Sequence, residues 1–178
     1  MKFIGYAESP LGRIMLTSDG RSLTGLYLQG QKYEPAPLSD WRPDNSLPVF
    51  IATGTQLAEY FAGKRTCFEI PVAPRGTPFQ QEVWSRLQAI PYGAQLSYGE
   101  IARELGNPRA ARAVGAAIGR NPVSIIIPCH RVLGQNGALT GYAGGLERKR
   151  ALLELESSRC REQVVNPCGH TAPAGKAW

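Results

Sequence analysis

The sequence predicts an α+β protein: a small antiparallel β-sheet, then a mostly helical half containing a helix-turn-helix. Three observations carry that expectation. Apolar and polar residues alternate with a period of two through much of the first seventy positions. A proline- and glycine-bearing stretch, Pro71-Val72-Ala73-Pro74-Arg75-Gly76, then interrupts the pattern. Beyond it, helix-start signals recur at short intervals.

In chain order, positions 2–7, 13–17 and 22–28 read as strands, separated by the turn signals Ser9-Pro10-Leu11-Gly12 and Ser18-Asp19-Gly20. Residues 30–48 hold four prolines and little periodicity, the signature of a surface loop. Positions 49–61 carry apolar residues at helical spacing until Gly63 stops them, and 68–72 read as one more strand. Residues 73–76 have linker composition, which divides the chain into expected domains 1–72 and 77–157.

The second half opens on Thr77-Pro78-Phe79-Gln80, an N-cap, a first-turn proline and a capping-box glutamine. A helix is expected from there to about Ile90, with Phe79, Val83, Leu87 and Ile90 as its apolar stripe. Ser97-Tyr98-Gly99-Glu100 is a second capping box; its short helix ends at Gly106, and Asn107-Pro108 caps and starts a third helix to about Ile118. Two short helices about a glycine turn make a helix-turn-helix. An apolar strand at 124–127, an Asn136-Gly137 turn, a glycine-rich loop at 141–145 and a helix at 146–156 follow, and 158–178 reads as a flexible tail.

The 178 residues carry a net charge of +6 and are 43% hydrophobic, enough for an ordinary buried core. Between Ser97 and Arg150 eight basic residues face three acidic ones, so the positive excess is concentrated around the helix-turn-helix, as a polyanionic partner requires. No run approaches the ~20 apolar residues of a membrane span, which sets a membrane role aside. Four irregularly spaced cysteines (Cys67, Cys129, Cys160, Cys168) and an amino terminus without signal-peptide features lead to the expectation of a cytoplasmic chain with free thiols.

The third helix is unusual for a base reader. Helices that read the major groove present long polar side chains, whereas 109–118 is dominated by alanine and glycine with only Arg109 and Arg112 projecting. Ala110, Ala113 and Gly115 make a slim surface that fits a narrow groove and contacts backbone without reading sequence. On this segment alone, tight packing against another helix is the simpler account of these residues, and it is the neighbouring chemistry that favours DNA.

That chemistry centres on Cys129, expected directly after the apolar strand and followed by His130 and Arg131. A cysteine in apolar surroundings is ordinarily inert, but a base titrating near neutrality and a fixed cation both favour thiolate, the reactive form. Glu156, at the end of the last helix, is placed to orient His130 in a nucleophile-base-orienter relay, with Glu154 or Glu147 as alternatives that helix periodicity does not separate.

The run Ile127-Pro128-Cys129-His130-Arg131-Val132, with Gly141-Tyr142-Ala143-Gly144-Gly145 and the stretch from Arg148 to Glu156, resembles the O6-alkylguanine-DNA alkyltransferases. The resemblance covers about Thr77 to Glu156, and the strand-rich first half is similar to that family's variable amino-terminal domain, which implies a ribonuclease-H-like α/β unit at 1–72. It implies Cys129 as alkyl acceptor, His130 as the base acting through a bridging water, and Glu156 as the carboxylate orienting it. Arg112 becomes the finger that fills the space left by a flipped nucleotide, since O6 of guanine is inaccessible within the stack. Asn107, Arg109, Ala110, Ala113 and Gly115 then belong to the DNA-binding surface. Tyr98 becomes the phenol that helps rotate the nucleotide and protonates N3 of the departing guanine, Asn121 a hinge, and Tyr142, Val132 and Ala143 parts of the alkylguanine pocket, with the Cys129 and Val132 carbonyls facing the guanine amino group.

Double-stranded DNA carrying O6-alkylguanine is the implied partner, acted on once per molecule by a monomer. Gly141 and Ala143 are smaller than their counterparts in familiar members, which bears on pocket width. The first domain lacks the zinc ligands of some relatives, so no metal or other cofactor is expected; Cys160, Cys168 and His170 are too loosely spaced to suggest one. The leading alternative is a helix-turn-helix regulator with a silent, buried Cys129. A cysteine hydrolase leaves Arg112 and the small-residue helix unexplained, and a non-repairing binder of alkylated guanine lacks the acceptor cysteine that is present here.

Overall fold

The computed structural model describes residues 2–160, with side chains for 2–158. Three strands, β1 (Lys2–Ala7), β2 (Ile14–Ser18) and β3 (Leu23–Leu28), form the expected antiparallel meander, in register Tyr6 to Met15 and Leu16 to Leu26. Gly12 and Gly20 take φ of +103° in the connecting turns, a region open to glycine. The proline-bearing loop contributes a strand that the sequence pattern hid: β4 (Trp41–Pro43) pairs parallel to β1 and completes the order β3-β2-β1-β4. Three residues ending in proline carry no period, and an edge strand tolerates the missing donor.

Helix α1 (Pro48–Phe61) follows, with Pro48 in its first turn. The strand expected at 68–72 is reduced to a single bridge, Val72 to Leu23. Its backbone serves the sheet edge instead: Leu23 N–H donates to Pro71 O and Ala73 N–H to Leu23 O. Farther along β3, Leu26 N–H donates to Pro122 O and Ser124 N–H to Leu26 O. The free edge is thus covered by two later segments, which seals it against pairing with another chain.

Helix α2 (Pro78–Gln88) and helix α3 (Tyr98–Glu104) both start on complete capping boxes, at Thr77/Gln80 and Ser97/Glu100. Gly106, at φ +74°, turns the chain after α3. The next helix differs from expectation at its start: Asn107 makes no side-chain cap, Pro108–Ala110 is a 3-10 turn, and helix α4 runs from Ala111 to Gly119. Arg109 therefore sits in the tight turn and Arg112 on the α-helix proper, so the two do not share one regular helical face.

The apolar run at 124–127 is not a strand. Asn121 captures the backbone of this segment, accepting from Val123 N–H at 3.0 Å and donating to Ile127 O at 2.8 Å, and Ile125 turns at φ +71°. The run curls into the core, leaving only a Val123 bridge to Leu26. The second sheet is a parallel pair, β5 (Leu96–Ser97) with β6 (Val132–Leu133). Helix α5 (Leu146–Cys160) continues four residues past the expected end, and the rest of the expected tail lies outside the described residues.

One apolar cluster joins both halves. Ile14, Leu16 and Leu26 of the sheet pack in it with Leu57 of α1, Trp84 of α2, Val114 of α4 and Leu152 of α5. Trp84, 1% exposed, also ties α2 to α4 by donating from Nε1 to Ala117 O at 2.9 Å. Among the described residues no helix is long and apolar enough to cross a membrane.

Candidate active site

Cys129 opens a 3-10 turn, Cys129–Arg131, that follows the Asn121-bound curl. The turn places three consecutive side chains in three settings. Cys129, 3% exposed, borders a cavity; His130 is wholly buried beneath it; Arg131 reaches back toward α5.

Of the three glutamates left open by helix periodicity, Glu156 meets His130. Five hydrogen bonds among the described residues converge on its carboxylate. Oε1 lies 2.8 Å from His130 Nε2 and accepts from Tyr60 Oη at 2.8 Å and Arg131 Nη2 at 2.9 Å. Oε2 accepts from Arg131 Nε at 2.9 Å and Gly93 N–H at 3.0 Å. Burial alone would raise this carboxyl, but the hydrogen bonds from His130 and Arg131, with the Arg131 charge, outweigh it and hold it at about 2. An ionised carboxylate only accepts, so His130 Nε2 carries the ring proton. Nδ1, buried without a partner among the described residues, is left as a bare acceptor. Burial lowers the His130 pKa despite Glu156, with Arg131 and Lys149 reinforcing the shift, so the ring is a neutral base at rest.

The sulfur is not ionised at rest, which corrects the expectation that Arg131 stabilises a thiolate. Arg131 spends its guanidinium on Glu156 and on Ile90 O, 2.6 Å away. Burial pushes the Cys129 thiol up, while the Asn121 amide, the Lys149 charge and backbone N–H groups pull it down. Asn121 Nδ2 donates to Sγ at 3.2 Å, so the residue expected as a hinge also touches the acceptor. Cys129 is the free cysteine among the described residues; Cys67 is disulfide-bonded, against the expectation of free thiols throughout.

Lys149 was not anticipated as a site residue. It is fully buried, and its Nζ donates to the carbonyls of Val132, Thr140 and Gly141, the latter two at 2.6 and 3.2 Å. Burial brings its pKa down to about 8. A long cation in a stretch of surface-type charges gives no sequence signal of burial; only its three carbonyl partners, 8 to 17 residues upstream, reveal it. Tyr60 and Gly93 are long-range partners of the same kind.

The cavity beside Cys129 measures about 310 Å3. Tyr98, Gly115, Gly141, Tyr142 and Ala143 line it, together with Lys32 and Tyr33 of the first half. Tyr98 donates from Oη to the Thr140 and Gly141 carbonyls, each at 3.2 Å, and burial raises its pKa. Gly141 is required twice over: its φ is +51°, and a Cβ there would sit 3.0 Å from the Tyr98 hydroxyl. A Cβ on Gly115 would lie 3.6 Å from the Tyr98 ring, so α4 runs close against this tyrosine. Tyr142 Oη is buried without a partner among the described residues, and burial raises its pKa well above the ordinary value. Val132 is absent from the lining: it is fully buried in β6 and its carbonyl is held by Lys149.

Of the expected DNA-facing residues, Asn107, Arg109, Arg112 and Ala113 are exposed, and Ala110 and Gly115 half-buried. Among the described residues no cluster of histidine, cysteine or carboxylates is arranged to hold a metal ion.

Two family models match the chain: "6-O-methylguanine DNA methyltransferase, ribonuclease-like domain" over residues 2–74, and "6-O-methylguanine DNA methyltransferase, DNA binding domain" over 78–158. A methylated-DNA-protein-cysteine methyltransferase of Mycobacterium tuberculosis is 53% identical over 152 residues, spanning 85% of this chain and 90% of its own length. That of Haemophilus influenzae is 49% identical, spanning 85% and 84%. The crystal structure of Mycobacterium tuberculosis OGT in complex with DNA superposes with a TM-score of 0.81 at 50% identity, covering 88% of this chain and 94% of that one.

The carboxylate cradle makes folding pH-dependent with a definite sign. Glu156 takes up its proton near the ordinary 4.5 when unfolded but only near 2 when folded, so the unfolded state binds more protons between those values. Its contribution is complete above 4.5 and is lost as pH falls toward 2. Urea denaturation across this window is expected to show a shallower fall in Glu156→Gln than in the native chain, and an equally steep fall would contradict the assignment.

Proposed function

The chain belongs to the 6-O-methylguanine DNA methyltransferase family, and from that premise we propose that it repairs O6-alkylguanine in double-stranded DNA by moving the alkyl group irreversibly onto Cys129. The observation that carries this reading is the pairing of a buried, cavity-facing thiol with a neutral histidine that has one nitrogen fixed on Glu156 and the other bare. A resting hydrolase triad would join nucleophile and base directly; here the sulfur's polar side-chain partner is Asn121, which leaves His130 to act through a bridging water.

The steps follow from the residues. Arg112 enters the stack as the guanine rotates out through the minor groove, and the slim α4 surface, with Asn107, Arg109, Ala110, Ala113 and Gly115, lies along the groove without reading sequence. The extruded base fills the cavity between Tyr98, Tyr142 and Ala143. The Cys129 proton passes through water to His130 Nδ1, and Glu156 and Arg131 hold the imidazolium that results. Sγ attacks the alkyl carbon in line; the S–C bond forms as the C–O6 bond breaks, and the electron pair leaves with guanine. Tyr98 gives its proton to guanine N3 and is reprotonated at the expense of His130 through solvent, so the net transfer is one proton from thiol to guanine. The thioether has no leaving group for water to expel, and each molecule acts once.

In this reading the chain divides into a ribonuclease-H-like domain at 1–72, a linker at 73–76 and a DNA-binding and transfer domain from 77 to about 157, with α5 running on to Cys160. The chain works as a cytoplasmic monomer, needing no cofactor because the nucleophile, base and proton donor are all side chains. Asn121 serves as both hinge and sulfur ligand.

Intact-mass measurement after incubation with duplex containing O6-methylguanine is expected to show one added methyl in the native chain and none in Cys129→Ala; no addition to the native chain would overturn the reading, as would addition to the variant. Arg112→Ala is expected to slow repair of duplex by tenfold or more, a loss of at least ~1.4 kcal/mol, while leaving attack on free O6-benzylguanine nearly unchanged. Equal losses on both substrates would exclude a flipping role.

A further inference from the structure

The Glu156 carboxylate is bound from the far half of the chain. Tyr60, on α1, is wholly buried and donates from Oη to Glu156 Oε1 at 2.8 Å, across a separation of 96 residues. That is the same oxygen that His130 Nε2 contacts at 2.8 Å. The Tyr60 ring is held on several sides: Phe61 edge-on with centroids 5.4 Å apart, Phe68 at 5.4 Å and Tyr92 edge-on at 6.0 Å. Its hydroxyl therefore has a fixed aim. Burial and the adjoining carboxylate both disfavour a phenolate, so the hydroxyl keeps its proton and acts as a donor.

We propose that Tyr60 is a positioning residue for alkyl transfer, through which the amino-terminal half sets the basicity of His130. The proposal rests on the reading of His130 as the base. A donor on Oε1 draws charge from the oxygen that holds the imidazole proton, so it weakens the carboxylate's pull on that proton. Without the phenol, Oε1 keeps Arg131 and His130 as donors and becomes the stronger acceptor. The imidazolium is then favoured, and the ring is protonated at a higher pH. The amino-terminal half thus tunes the base and does more than scaffold it.

The groups facing His130 make this the variable to perturb. Glu156 and Lys149 come from α5, Arg131 and Cys129 from its own turn, and Tyr60 from α1; Tyr92 lies under the Arg131 guanidinium at 5.7 Å. Replacing Glu156, Arg131 or Lys149 changes a charge in a buried network. Tyr60→Phe removes one hydroxyl and keeps the ring.

The test follows two quantities in the native chain and in Tyr60→Phe: the NMR titration of the His130 ring in the free protein, and the pH dependence of the single-turnover rate on duplex containing O6-methylguanine. The expected result is a rise of roughly half a pH unit in the His130 titration, with the acid limb of the rate profile moving by the same amount. A role confined to folding would lower the melting temperature and leave both curves in place, and that result overturns the proposal. A moved titration with an unmoved rate limb would show that His130 is not the base, overturning both the proposal and the reading beneath it. A fluorinated tyrosine at position 60, a stronger donor of nearly the same shape, supplies the opposite perturbation: both curves are expected to shift downward, and an upward shift or none contradicts the assignment.

Discussion

A single buried carboxylate organises the reactive end of this protein. Glu156 is 1% exposed and ionised, a condition tolerable only because Tyr60, Gly93, His130 and Arg131 all donate to it. Those donors come from α1, the loop after α2 and the turn that bears Cys129, so the charge can be accommodated only when all of these are in place. Fold and site are accordingly inseparable: the ligation that makes a buried charge affordable is also what sets the tautomer of His130.

The acceptor sulfur is governed by the opposite balance. Burial makes it a thiol, and Asn121 and Lys149 moderate that preference without reversing it. A resting thiolate would be open to any small electrophile that entered the cavity, whereas a thiol that loses its proton only to a positioned base is reserved for the substrate held there. Lys149 has a second effect. By gathering the carbonyls of Val132, Thr140 and Gly141 it fixes the loop on which Tyr142 stands and against which Tyr98 bonds, tying sulfur, pocket wall and phenol to one cation.

Much of this was legible in the sequence where the signal was local. The meander strands were bracketed by turn residues, and both capping boxes were present as written. Cys129 and His130 stood out because a nucleophile and a base adjoin. The failures were equally physical. β4 is too short and proline-terminated to have a period. The run at 124–127 has strand composition, but Asn121 takes over its backbone, an effect visible only once the side chain's aim is known. Closeness in sequence suggests Arg131 as a partner of Cys129, yet the guanidinium is long enough to reach α5 and finds a better partner there. Glu156 was separable from Glu154 and Glu147 by family resemblance and not by periodicity. Tyr60 and Lys149 are not legible at all, since a tyrosine in an apolar helix and a lysine in a basic run carry no mark of the groups they bond.

Nitrogen-15 NMR of the His130 ring in the unreacted protein at neutral pH reads the central arrangement most directly. The expected spectrum is that of a neutral imidazole with the proton on Nε2 and an unprotonated Nδ1. A protonated Nδ1, whether in the other tautomer or in an imidazolium, would mean that the ring has no free lone pair to take the proton from Cys129.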